Sequence, residues 1–130
     1  GIVRVYKKDS SGNAQFIGED RIDHTPKNEK VRLKLGDAFA VTAHKKQTDF
    51  KRRDAPNPWH YSFESAYEIV LRNAKKEAVT VVVREPVPGD WQMLEQSHAH
   101  EKAASGTAEW KIRVPAEGNA TLKYRVLVRY

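Results

Sequence analysis

Apolar residues recur at every second position through most of this chain. Tyr67, Ile69 and Leu71 fall on one face of a first segment, and Val79, Val81 and Val83 on one face of a second. A period of two is that of a half-buried β-strand, whose successive side chains point to opposite faces. The connection between them, residues 73–78, is polar and too short for a crossover helix, so the two strands are expected side by side or facing each other across a sandwich. With the following Pro-Val-Pro-Gly-Asp-Trp run to Trp91, this pair is the centre of the pattern.

The same alternation reads outward in both directions. Residues 2–6 alternate, a Ser-Ser-Gly-Asn cluster follows at 10–13, and residues 14–19 resume, which is a hairpin signature. Residues 31–35 form a third strand that stops at Gly36-Asp37. From Ala38 a long strand carries Phe39, Val41 and Ala43 on one face, continues to Phe50 with a polar opposite face, and is expected to reach a sheet edge. Pro56 and Pro58 break the pattern, so residues 51–58 are expected as an exposed loop, with extended structure resuming at 59–63. Residues 92–107 show no apolar period and are expected to be irregular. Trp110, Ile112 and Val114 share a face, residues 115–119 turn the chain, and Leu122, Tyr124, Val126 and Val128 share a face of the last strand. Strands every ten to fifteen residues, separated by Gly, Pro, Asn and Ser turns, predict an all-β fold. The expected form is an immunoglobulin-like antiparallel β-sandwich of about seven or eight strands.

Composition narrows the chemistry. The 130 residues suit one domain, residues 1–130, large enough to hold a core without covalent staples. There is no cysteine, which excludes thiol nucleophiles, thiolate zinc sites and cysteine-ligated iron–sulfur clusters. No apolar run approaches the roughly 20 residues needed to cross a bilayer as a helix. A start at Gly1 rather than a Met-led leader is read as a domain excised from a larger protein. The 23 basic and 17 acidic residues leave a formal charge of +6, enough to steer polyanions weakly, although a mixed-charge solvated surface explains it equally simply.

A family resemblance is carried by Arg4-Val5-Tyr6-Lys7-Lys8-Asp9, the run from Gln15 to Pro26, Leu35-Gly36-Asp37-Ala38-Phe39 and Leu71-Arg72-Asn73. It is completed by Trp110 to Ala116 and Leu122 to Val126. Together these cover nearly the whole chain, which resembles the C-terminal domain of bacterial exported proteins of unknown function, including the mucoidy-inhibitor-like group. The resemblance implies a periplasmic or cell-surface location and a place at the C-terminal end of a larger protein. It supplies no catalytic residues. Ala40, where an acidic residue is expected, and the stretch from Asp54 to Tyr61 depart from the pattern.

Three groups of side chains carry candidate chemistry. His98, His100 and Glu101 would place two imidazoles and a carboxylate on one side of an extended segment, but a metal centre needs a further ligand such as His24 or His60. Glu19, Asp20, Asp23 and His24 lack the ligand spacing and glycine of a calcium loop. The strongest candidate surface joins His44, Lys45, Lys46, Lys51, Arg52 and Arg53 to Trp59, His60 and Tyr61, where cations would neutralise phosphate or sulfate and rings would stack. Trp91 and Trp110 read as core anchors rather than sugar platforms. No nucleophile, base and orienting group can be assembled, so no catalytic residue, cofactor or metal is expected. The expected function is that of a non-catalytic structural or protein-interaction module whose partner is a protein or envelope component. The alternative is a polyanion- or carbohydrate-binding module using the basic edge with its adjacent aromatics, Trp59 above all, and weak polyanion binding is a further expected contact.

Overall fold

A computed structural model of the chain describes residues 1–8, 12–22, 30–32, 41–54, 61–87, 89–104 and 106–129. Among the described residues the alternating segments become ten strands: β1 (Ile2–Lys8), β2 (Ala14–Arg21), β3 (Lys30–Arg32), β4 (Val41–Arg53), β5 (Ser62–Asn73), β6 (Val79–Pro86), β7 (Asp90–Gln96), β8 (Glu101–Ala104), β9 (Thr107–Val114) and β10 (Gly118–Arg129). Among the described residues there is no helix, and so none long and apolar enough to cross a membrane.

One sheet has the order β2-β1-β6-β9-β8 and the other β3-β4-β5-β10-β7, with neighbours antiparallel throughout. The two sheets pack face to face, which is the antiparallel sandwich expected from the pattern. Eight of the strands have seven or more residues; β3 and β8 are three- and four-residue additions at sheet edges. Those short edge strands account for the difference from seven or eight, since so few residues show no readable period.

The inward face is the one the alternation selects. Val3 and Val5 of β1, Ile69 and Leu71 of β5, Val79, Val81 and Val83 of β6, Trp110, Ile112 and Val114 of β9, and Leu122, Tyr124, Val126 and Val128 of β10 are all buried in one core. Of the two placements open to the central pair, the structure takes the second: β5 and β6 lie in different sheets and face each other across the core. Asn73 makes that corner. Its buried amide donates to the carbonyls of Glu77 (2.7 Å) and Pro115 (3.2 Å), and its oxygen accepts from the Lys75 amide (3.0 Å), so one side chain joins the β5–β6 and β9–β10 turns.

Two expectations change. Residues 92–107 are not irregular: β7 and β8 occupy most of them, leaving a short corner at 97–100. In β7 the period is broken by a bulge, where Met93 pairs with Val126 and Glu95 with Arg125, so Leu94 is an extra residue and points out. Lys51, Arg52 and Arg53 do not lie in a loop but form the end of β4, which is thirteen residues long. Phe39, residues 33–35 of the expected third strand with the Gly36-Asp37 stop, and the Pro56 and Pro58 breaks lie outside the described residues.

Candidate functional site

The surface singled out in the sequence lies on β4 and β5, and a second bulge decides which residues share a face. Gln47 pairs with Tyr67 and Asp49 with Ala66, so Thr48 is the extra residue. Before it, Val41, Ala43, Lys45 and Gln47 lie on the inward face. After it the parity reverses: Phe50 opposite Ser65 and Arg52 opposite Phe63 take the inward face, while Lys51 and Arg53 turn outward. The basic cluster is thereby divided between two faces and the interior.

Lys45 belongs to the interior. The position is 7 % exposed, and its Nζ lies 3.0 Å from Glu85 Oε2 and 4.7 Å from the centre of the Tyr67 ring. An ammonium in this setting already has its counter-ion and is no part of a surface for polyanions. The expectation of a surface Lys45 is therefore corrected, and Glu85 was missed, although the alternation held a signal for both. Lys45 continues the apolar face of Val41 and Ala43, and Glu85 that of Val79, Val81 and Val83, so two opposite charges were each due to point into one core. The backbone of Gly1 completes the setting, since a β-carbon there would come within 2.5 Å of the Glu85 carboxylate. Nearby, burial pushes the Tyr124 phenol well above its ordinary pKa, with the Glu85 charge and Tyr67 adding to the effect.

The outward face is a lattice of opposite charges. Arg125 of β10 lies across Ala66, with its guanidinium 2.8 Å from Asp49 and 3.2 Å from Glu64. Arg53 reaches Glu64 at 3.0 Å, Lys51 lies 3.8 Å from Asp49, and Lys46 and Lys123 flank Glu68 in one cross-strand row. The Arg125 guanidinium holds the Asp49 carboxyl below its ordinary value, and Asp49 in turn raises Arg125. His44, half-buried near the start of β4, stands apart from this group.

Beyond the bulge the inward face is aromatic and exposed. β4, β5 and β10 have twelve or thirteen residues, against eight at most in the facing sheet. The Asn73 corner pins both sheets at one end, so the excess of about four residues, roughly 13 Å of strand, falls at the other. There the rings of Phe50 and Phe63 stack at 5.5 Å, and the Arg52 guanidinium lies 5.4 Å over the Tyr61 ring. Phe50 and Tyr61 are each 56 % exposed. Trp59 and His60 lie outside the described residues, and so do Asp23 and His24.

The two histidines of the 97–100 corner are engaged in holding it. His98 Nδ1 lies 2.8 Å from Ser97 Oγ, and His100 Nδ1 lies 2.9 Å from Gln96 Oε1, with the His100 ring packed between Trp91 and Trp110. Trp110 is a core anchor, as expected, and its indole N–H donates to the His98 carbonyl at 3.1 Å. Trp91 is half-buried and packs against the same core. Glu19 pairs with Arg4 at 2.8 Å. Among the described residues no three His, Asp or Glu side chains converge as a metal site would require.

The chain matches no protein-family model and shows no significant similarity to a curated protein or to a solved structure.

Proposed function

We propose that this domain is a non-catalytic interaction module that engages a protein partner through the overhanging aromatic end of β4 and β5. One observation carries the reading. Phe50 and Tyr61, both more than half exposed, sit with Phe63 and Arg52 on sheet surface that the facing sheet does not cover. Aromatic residues and arginine are the types enriched at the centres of protein interfaces, because they exclude water over a large area at low conformational cost. Polyanion binding has less support, since Lys45 is buried against Glu85 and Lys51 and Arg53 already face carboxylates. The placement at the C-terminal end of an exported bacterial protein, in the periplasm or at the cell surface, rests on the family resemblance and belongs to the same proposal.

The test is photo-crosslinking in the parent bacterium. A benzophenone amino acid at position 50 is expected to give a discrete protein adduct, and the same probe at Lys123 on the outward face is expected to give none. The Tyr61→Ser change should abolish the adduct while leaving the fold stable to within about 0.5 kcal/mol, the usual range for exposed positions. An adduct formed from position 123 and not from 50 would move the interface to the charged face and defeat the reading.

A further inference from the structure

Between the sheets, at the root of the overhang, lies a cavity of about 240 Å³ lined by both members of the buried ion pair and by three aromatic rings. Lys45 and Glu85 stand on one side; Phe63, Tyr67 and Tyr124 supply the rings, and Val126 is part of the apolar wall. Its mouth is marked by exposed Pro86 and half-buried Phe63, while the deeper lining of Ser65, Val87 and Val128 is buried. Glu85 Oε2 accepts from Lys45 and lies 3.5 Å from the Gly1 amino nitrogen, but Glu85 Oε1 is buried and has no hydrogen-bond partner among the described residues. A buried carboxylate oxygen without a donor is costly, and such a group calls for an occupant that supplies one.

From this we infer that the cavity is a binding site for small neutral aromatic alcohols, with the ligand hydroxyl donating to Glu85 Oε1 and its ring against Phe63, Tyr67 and Tyr124. Three features fix the class. The acceptor is unpartnered, so the ligand must carry an O–H or N–H. Lys45 at 3.0 Å and the Gly1 amino nitrogen at 3.5 Å already flank the Glu85 carboxylate, so a cationic ligand would add to the positive charge and an anionic one would meet Glu85 Oε1 with no proton to donate. The walls are aromatic and aliphatic, and the space is ample for one ring, given that a dry cavity of roughly 150 Å³ takes benzene. Water alone can meet the carboxylate but leaves the apolar walls uncovered.

Phenol and toluene, alike in shape and differing in the donor, make the test. Each is titrated into the whole domain and followed by amide chemical shifts. Phenol is expected to give saturable shifts centred on Val87 and Val126, with affinity about tenfold above that of toluene, the worth of one hydrogen bond to a charged acceptor. Val126→Phe, which fills the cavity, should remove phenol binding while the spectrum stays folded. Lys45→Met with Glu85→Leu should erase the preference for phenol, since an apolar pair of similar size keeps the packing and removes the acceptor. The assignment is overturned if phenol gives no saturable shift, if toluene binds wild type equally well, or if the double variant keeps the tenfold preference. The comparison of phenol with toluene on the unaltered domain decides the matter even where a variant fails to fold.

Discussion

Lys45 is tolerated on an apolar face only because Glu85 lies opposite it in the other sheet. Each ion loses several kcal/mol of hydration on burial, and their mutual attraction recovers it only while both are present. Removing one partner leaves an unpaired buried charge, so Lys45→Ala or Glu85→Ala should cost about 3–5 kcal/mol of unfolding free energy in urea titrations. The double change Lys45→Met with Glu85→Leu should be neutral or stabilising by about 1–4 kcal/mol, as found for apolar replacements of buried ion pairs. A single alanine variant losing less than about 1 kcal/mol would mean that the pair is solvated. At this scale the sequence held a signal, since period-two spacing sends both residues inward, but Lys45 is expected there on the basic surface because its counter-ion stands 40 residues away. What it did not disclose is that they meet, since that depends on β4 and β6 lying across from each other at this level.

The elements of the sandwich were legible wherever alternation is unbroken and obscure wherever a bulge inserts a residue. Residues 67–83 and 110–128 show their strands plainly. By contrast, the Thr48 bulge reverses the faces of Lys51 and Arg52, and the Leu94 bulge hides β7 altogether, because an extra residue is defined by the partner strand and not by its own neighbours. Asn73 belongs to this scale as well, since it joins two turns through three hydrogen bonds. Asn73→Ala should lose about 2–4 kcal/mol, from three bonds at about 1 kcal/mol each with two carbonyls left short of a donor. A loss under about 0.5 kcal/mol would show that water replaces them. The cross-strand charge lattice predicts a pH effect. Asp49 titrates below its ordinary value of 3.8 in the folded state, so between the two values the unfolded chain binds more protons and stability rises with pH. Its contribution is complete above 3.8 and is lost as pH falls through the lower folded value. Asp49→Asn should therefore flatten the stability profile below 3.8, and profiles of identical slope would remove Asp49 from the lattice.

On the scale of the whole molecule, two unequal sheets explain why a chain with a formal charge of +6 presents an aromatic end rather than a basic one. The longer sheet carries its cations on the outward face among carboxylates and leaves Phe50, Phe63, Tyr61 and Arg52 beyond the reach of the shorter sheet. The length mismatch arises from pairing, as β5 and β10 align over twelve residues while β6 and β9 align over eight, and no local pattern reports that. Thermal-shift titration against heparin and nucleic acid, at low and high salt, separates the aromatic from the electrostatic account, because a ligand of the folded state raises the midpoint and phosphate or sulfate contacts weaken with salt. A midpoint unmoved by either polyanion at low salt is the predicted result. A salt-sensitive rise that disappears when Lys51, Arg52 and Arg53 are changed together to alanine would contradict it and make the basic end of β4 the working surface.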